Sequence, residues 1–230
     1  MIWINFGKLV MQYYFYFRNF LSIIIGDSAV GKSNILTQYV YEKFSEEFQS
    51  TLGVEFASKN VIMDGKIYRI QIWDTAGAEN FRSITRAYYK NSVCAFIVYD
   101  ITQRNTFENV KLWLDDIHNQ CPQTTLLVLV GNKIDLESER QISYEEGEDF
   151  AQKNNMYFFE TSAKTGKNIE NLFLKSVKTI NERIQEDFYD LKTGNCGIKV
   201  GNAVNTDNIV LNKETVTKED NNGGKCCSYY

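Results

Sequence analysis

One eight-residue segment restricts the possible folds of this chain more than any other. It matches the pattern Gly-x-x-x-x-Gly-Lys-Ser/Thr, follows an apolar run at residues 21–25 and precedes a helical pattern at residues 35–40. A segment of this kind joins a buried strand to a helix and turns its backbone N–H groups toward a bound phosphate. We therefore predict a phosphate-binding loop that consists of Gly26, Asp27, Ser28, Ala29, Val30, Gly31, Lys32 and Ser33, followed by Asn34.

The residue types in this loop suit a phosphate group and a magnesium ion. Gly26 and Gly31 lack Cβ atoms, so the backbone can wrap closely around the anion. Lys32 can reach the outer phosphates as a positive charge, and Ser33 offers a hydroxyl group to Mg²⁺.

A second segment, Asp74-Thr75-Ala76-Gly77, ends an apolar strand at residues 67–73. We expect the Asp74 carboxylate to lie beside Ser33 and to hold Mg²⁺ through water, and the Gly77 N–H to meet the γ-phosphate of a nucleoside triphosphate. Taken alone, Asp-x-x-Gly is only a turn signature. Its position after the phosphate loop and at the end of a strand indicates a role at the phosphates.

Two later segments specify the base of the nucleotide. Asn132-Lys133-Ile134-Asp135 follows an apolar strand at residues 126–130, and Thr161-Ser162-Ala163-Lys164 follows the next strand. Asp135 can accept hydrogen bonds from N1–H and the 2-amino group of guanine, a donor pair that adenine lacks. We expect Ser162 to brace that carboxylate and the Ala163 N–H to donate to guanine O6. The predicted nucleotide site also contains Asn132, Lys133 and Lys164.

With these four segments in this order, the chain resembles a small GTPase of the Ras superfamily. Residues 48–56 and 73–89 are similar to the two switches of the Rab family. The segments most like the Rab-two subfamily are Trp113–Asp116, Asn132–Ser138, Glu145–Glu148 and Glu182–Glu186. The resemblance implies a first switch at residues 44–56, in which Phe44 contacts the base and Thr51 coordinates Mg²⁺ and the γ-phosphate. It implies a second switch at residues 73–89. Three aromatic residues match the family's effector-binding triad, namely Phe56, Trp73 and Tyr88.

The same resemblance implies a set of partners. They are GTP and GDP, effector proteins, an exchange factor, a TBC-type GTPase-activating protein, a GDP-dissociation inhibitor and a prenylation escort. The activity implied is slow hydrolysis of GTP by a monomer that regulates vesicle traffic, with Lys32, Thr51, Gly77 and position 78 as the catalytic set.

Position 78 departs from the family. Relatives carry a glutamine that orients the attacking water, whereas this chain has Ala78, whose methyl group cannot form a hydrogen bond. We expect slow intrinsic hydrolysis. The alternative is a scaffold that holds GTP with negligible turnover, and a P-loop kinase or ATPase is disfavoured by the guanine-specifying segments.

The predicted fold is an α/β G domain at residues 21–188. Strands at 21–25, 54–63, 67–73, 93–99, 126–130 and 157–160 alternate with helices near 104–119, 143–154 and 168–186. They predict a six-stranded, mostly parallel sheet with one antiparallel edge strand and helices on both faces.

The chain ends are predicted to lie outside this domain. Residues 1–20 form an N-terminal extension, too short and too polar in places for a membrane helix and without a signal-peptide cleavage site; residues 1–10 could be an upstream extension of the reading frame. From residue 189 the composition predicts a disordered tail. It ends with Cys226 and Cys227, which resemble a double geranylgeranylation signal. The resemblance implies an anchor on the cytoplasmic face of intracellular membranes, with ER–Golgi membranes as the expected location, and a cytosolic pool.

Composition excludes several other classes. A net charge of −4 without a basic cluster argues against nucleic acid as a partner. The five cysteines lack metal-ligand or disulfide spacing, which favours a reducing compartment, and Cys94 is interpreted as a small core residue. His118, the one histidine, is predicted to be solvated surface.

Overall fold

The computed structural model describes residues 17–46, 54–75, 88–191 and 196–201. Its centre is a seven-stranded sheet in the order β2-β3-β1-β4-β5-β6, with β7 paired to β1. All neighbours are parallel except the β2–β3 and β1–β7 pairs. The strands are β1 (Phe17–Ile25), β2 (Val54–Met63), β3 (Lys66–Thr75), β4 (Cys94–Asp100), β5 (Leu126–Asn132), β6 (Tyr157–Thr161) and β7 (Ile198–Gly201).

Five α-helices are described alongside this sheet. The predicted helix near residues 104–119 is interrupted at Asn109, where one helix ends and the next begins. A short 3-10 helix, Ile134–Glu139, follows β5. The α-helices are α1 (Lys32–Tyr41), α2 (Arg104–Glu108), α3 (Val110–Gln120), α4 (Tyr144–Lys153) and α5 (Ile169–Gln185).

Alternate residues of the buried strands face opposite sides of the sheet, and each side has its own core. Ile24 of β1 packs on the side of α1 and α5, whereas Ile23 and Ile25 pack on the side of α3 and α4. All three are fully buried. This period-two pattern in an apolar strand is the signature of a sheet covered on both faces. The predicted α/β fold, with a mostly parallel sheet and helices on both faces, is confirmed.

The antiparallel edge strand follows from the geometry of the turn before β3. Met63 pairs with Lys66, and the two residues between them, Asp64 and Gly65, have φ values of 50° and 70°. Positive φ at both central positions is the type I′ geometry that Asp-Gly favours in two-residue hairpins. The turn therefore returns β3 beside β2.

The number of strands corrects the sequence prediction, which gave six and a disordered tail from residue 189. Residues 198–201 form β7, which pairs antiparallel with Phe17–Phe20. Tyr189, Cys196 and Ile198 are buried in the same core cluster as Phe20. Three buried side chains and a ladder of backbone hydrogen bonds offset the cost of ordering this segment, although its average composition is polar.

Among the described residues, no helix is both long and apolar enough to cross a membrane.

Candidate functional site

The loop after β1 has the backbone that its two glycines permit. Gly26 has φ 142° and Gly31 has φ 96°, both in the region that disfavours residues with a Cβ atom. A Cβ atom on Gly26 would lie 2.2 Å from the Val98 carbonyl oxygen, and one on Gly31 would lie 2.4 Å from Asn132 Nδ2. Gly31 is also the N-cap of α1 and makes no side-chain cap. A helix start of this kind, with no side chain over it, is a typical binding place for an anion.

The Lys32 side chain folds back onto the start of this loop. Its Nζ donates to the carbonyl oxygens of Gly26 at 2.9 Å and Asp27 at 2.7 Å, and its side chain is buried. Burial lowers the pKa of Lys32 to about 8, although the Asp74 and Asp27 carboxylates act in the opposite direction. The ammonium group is therefore a desolvated positive charge at the place where the sequence predicts phosphates.

Ser33 and Asp74 meet as predicted. The Ser33 hydroxyl donates to Asp74 Oδ2, and Asp74 is fully buried at the end of β3. Burial raises the pKa of Asp74 to about 6, against the lowering effects of the Ser33 hydrogen bond and the Lys32 charge. Asp74 Oδ1 is buried without a hydrogen-bond partner. The Ser33 hydroxyl and the Asp74 carboxylate, one oxygen of which has no partner, form a donor set that fits Mg²⁺.

Asn132 connects the phosphate loop to the segments predicted to bind the base. Its Nδ2 donates to the Val30 carbonyl at 2.9 Å. Its Oδ1 accepts from Thr161 Oγ1 and from the Ala163 N–H, both at 3.2 Å. The Ala163 N–H, predicted to donate to guanine O6, thus points toward Asn132, and its role toward a base stays a prediction.

Asp135 and Ser162 also lie together as predicted. Ser162 Oγ donates to Asp135 Oδ1 at 2.5 Å and accepts from the Thr165 N–H at 3.0 Å. Ser162 is fully buried, whereas Asp135 is exposed. Lys133 has φ 73°, and its Nζ lies 2.6 Å from the buried Asp100 carboxylate. Ser162 therefore orients the Asp135 carboxylate through Oδ1, while the side chain stays exposed to solvent.

The segment after α1 is attached to the site at two points. Asn34 Nδ2 donates to the Ser45 carbonyl at 3.1 Å, and Lys164 Nζ donates to Glu46 at 3.0 Å. Phe44, predicted to contact the base, directly precedes Ser45 and Glu46 and is 36% exposed.

The three aromatic residues of the predicted effector triad are in contact. The ring centroids of Phe56 and Trp73 are 4.8 Å apart, and those of Trp73 and Tyr88 are 4.6 Å apart. Phe56 is 47% exposed. The rings form one continuous aromatic surface at the ends of β2 and β3.

The contacts of two carboxylates in the site were not predicted from the sequence. The Asp27 carboxylate accepts from Asn109 Nδ2 at 2.7 Å and from Trp113 Nε1 at 2.8 Å. Asp100, the partner of Lys133, also accepts two hydrogen bonds from Thr102. The spacing of Asn109 and Trp113 places them on one face of a helix, but the sequence does not show that this face meets the loop.

Five predicted site residues lie outside the described residues, namely Thr51, Gly77, Ala78, Cys226 and Cys227. His118 is exposed near the end of α3, and Cys94 is fully buried in the core, both as predicted.

Comparison with known protein families agrees with this geometry. The model of the Ras family matches residues 22–182, a span from β1 to near the end of α5. The matched span contains the phosphate loop, Asp74 and both segments predicted to bind guanine.

Proposed function

The chain belongs to the Ras family of small GTPases, and from this premise we propose that it is a Rab-like switch that regulates intracellular vesicle traffic. Members of the family bind GTP and GDP, generally with Mg²⁺, and hydrolyse GTP. The proposal adds guanine specificity through Asp135, recruitment of effectors in the GTP state, and slow intrinsic turnover.

One observation carries the guanine assignment. Ser162 holds one oxygen of Asp135 while the carboxylate stays exposed, so an acceptor of fixed orientation is available to a planar base. Guanine offers two adjacent donors to such an acceptor, and a base without them leaves the carboxylate unpaired. The test is to identify the nucleotide that copurifies with the protein. Adenine nucleotide in place of guanine nucleotide would contradict the assignment.

The residues of the phosphate loop and of the two switches have different roles toward the phosphates and Mg²⁺. The loop N–H groups and Lys32 neutralise the β- and γ-phosphates. Ser33 and Asp74 would hold Mg²⁺, which when bound neutralises phosphate charge. Thr51 and Gly77, by resemblance, are drawn to the γ-phosphate in the GTP state and order residues 44–56 and 76–89; hydrolysis releases them.

The aromatic surface supports the Rab-like part of the proposal. Phe56, Trp73 and Tyr88 lie in contact at the ends of the strands that border both switches. Effectors that read the GTP state would bind here, and exchange factors, TBC-type activating proteins and the GDP-dissociation inhibitor are proposed as further partners. A pull-down with Phe56→Ala should lose effectors that the GTP-loaded wild-type protein retains.

The alternative function, a GTP-holding scaffold, depends on Ala78. Ala78→Gln should raise the intrinsic single-turnover rate severalfold, from below ~10⁻⁴ s⁻¹. Turnover stimulated by a TBC-type protein, which supplies a glutamine in trans, should change much less. Equal intrinsic rates would show that Ala78 does not limit hydrolysis. Absence of turnover even with the activating protein would favour the scaffold.

Membrane attachment is proposed to depend on Cys226 and Cys227. Two prenyl chains give stable attachment where one gives reversible binding. Cys226→Ser combined with Cys227→Ser should move the protein to the soluble fraction of cells and leave nucleotide binding unchanged. Persistent membrane association of this variant would assign the anchor to another segment.

A further inference from the structure

The second residue of the phosphate loop is a carboxylate, which is an unusual neighbour for a polyanion. Asp27 carries a negative charge, and its own carbonyl oxygen lies 2.7 Å from Lys32 Nζ. The Asp27 charge also acts on the pKa of Lys32. The carboxylate belongs to the residue whose carbonyl oxygen already accepts from Lys32. Turned toward Lys32, it would compete with phosphate for the ammonium group, because both are oxygen acceptors of opposite charge to lysine.

In the structure, the Asp27 carboxylate forms hydrogen bonds with two side chains of the α3 region. Asn109 donates to Oδ2 at 2.7 Å and Trp113 donates to Oδ1 at 2.8 Å, so each oxygen has a neutral donor. Asn109 caps the start of α3 and Trp113 follows one turn later, which places both donors on one face. Trp113 is 2% exposed, so its indole is packed in the core and its N–H stays directed at Asp27.

We propose that Trp113 and Asn109 are positioning residues that hold the Asp27 carboxylate on α3 and thereby keep Lys32 available to the phosphates of the nucleotide. The two side chains and Asp27 are called the Asp27 clamp. This inference rests on the guanine-nucleotide binding proposed above.

The clamp controls where the negative charge of Asp27 lies, so its loss should have a different effect on ligand binding from the loss of an ordinary packing contact. A released Asp27 carboxylate would repel a ligand in proportion to its phosphate charge and would pair with Lys32. The loss of affinity should therefore be largest for GTP, smaller for GDP and negligible for GMP. A structural defect in the loop would weaken all ligands that occupy it.

Trp113→Phe combined with Asn109→Ala removes both donors and keeps an aromatic ring in the core. We expect the dissociation constant for a non-hydrolysable GTP analogue to rise about tenfold or more, since hydrogen bonds to a charged group are lost. Titration with GMP, GDP and the analogue gives the dependence on phosphate charge. Asn119→Ala is the matched control on α3, because its amide donates only to the helix carbonyl of Asp115 in the described structure.

A second variant keeps the proposal falsifiable if the double substitution perturbs the fold. Asp27→Asn removes the charge that the clamp restrains, so adding Trp113→Phe and Asn109→Ala to it should change affinity for the analogue less than twofold. Equal losses for GMP and the analogue, or the same loss in the Asp27→Asn background, would overturn the clamp. Failure of the wild-type protein to bind GDP would instead overturn the proposed function.

Discussion

The phosphate side and the base side of the site differ in how their polar groups are satisfied. On the base side, Ser162 donates to Asp135, and Asn132 forms hydrogen bonds with the backbone at Val30 and Ala163. On the phosphate side, Lys32 and Asp74 are desolvated charges whose pKa values move toward neutrality, and Asp74 Oδ1 has no partner. The fold itself orients the polar groups of the base side, whereas the charges of the phosphate side are compensated only by an anion and a cation.

This difference teaches where each property of the site originates. Specificity for the base depends on orientation, which preformed hydrogen bonds supply. Affinity for phosphate and metal depends on charge, and charges buried without full compensation are costly until a ligand arrives. Mutations on the base side should therefore change the preference for the base, and mutations on the phosphate side should change the affinity for phosphate and metal.

The largest effect is expected at Asp135. Asp135→Asn replaces an acceptor with a donor and should reverse the preference from guanine to xanthine, a change of roughly 10⁴ or more in the ratio of affinities. Competition between GDP and xanthosine diphosphate measures it, with Asp149→Asn on α4 as control. An unchanged preference for guanine would remove Asp135 from the base site.

The next largest effect is expected at Lys32. Lys32→Met removes the buried charge and should weaken GDP and GTP by about 10²- to 10³-fold, because a charged partner of the phosphates is lost. The preference for guanine over xanthine should stay the same. Equilibrium titration checks both, with the exposed Lys178→Met as control. A loss of the preference for guanine in Lys32→Met would contradict the assignment of base specificity to the base side alone.

The phosphate side should also make the stability of the nucleotide-free, metal-free protein depend on pH. The pKa of Asp74 is raised from 3.8 to about 6, so its contribution is present below pH 4 and is lost as pH rises through 6. The pKa of Lys32 is lowered from 10.5 to about 8, so its contribution is present above pH 10 and is lost as pH falls through 8.

These two groups should together give a stability minimum between pH 6 and pH 8. The depth should be on the order of 1–3 kcal/mol, and Mg²⁺ with GDP should remove it. Urea unfolding across pH 4–10, with and without ligand, measures it. A minimum that persists when Asp74→Asn and Lys32→Met are combined would assign it to other groups.

The smallest effect is expected at Ser162. Ser162→Ala leaves the Asp135 charge in place and removes only its brace, so affinity for GDP should fall about tenfold, the value of one hydrogen bond to a charged group. Preference for guanine should persist, since the acceptor remains. Ser138→Ala, at an exposed position in the 3-10 helix, is the control. A reversal of base preference would mean that the brace, rather than the carboxylate, selects the base.

The contact between Ser162 and Asp135 could be predicted because each motif is a contiguous run whose residue types carry their chemistry. The contact between Ser33 and Asp74 was predictable for the same reason. The hydrogen bonds of Asn132 were not predicted, because they join segments that lie far apart in the chain. The Asp27 clamp was not predicted either, because it depends on which face of α3 meets the loop. β7 was missed because composition averages over a segment, whereas Ile198 and Cys196 are buried individually.

The pairing of β7 with β1 has a consequence for the order in which the protein folds. Phe17 pairs with Gly201, so the first half of the first strand finds this partner only after most of the 230-residue chain has been synthesised. Closure between such distant positions is slow, and domains fold from the N-terminus as they emerge from the ribosome. Until then, Phe17–Phe20 present an unpaired edge of the kind that chaperones and neighbouring nascent chains recognise. A chain truncated before Ile198 would keep that edge for its lifetime.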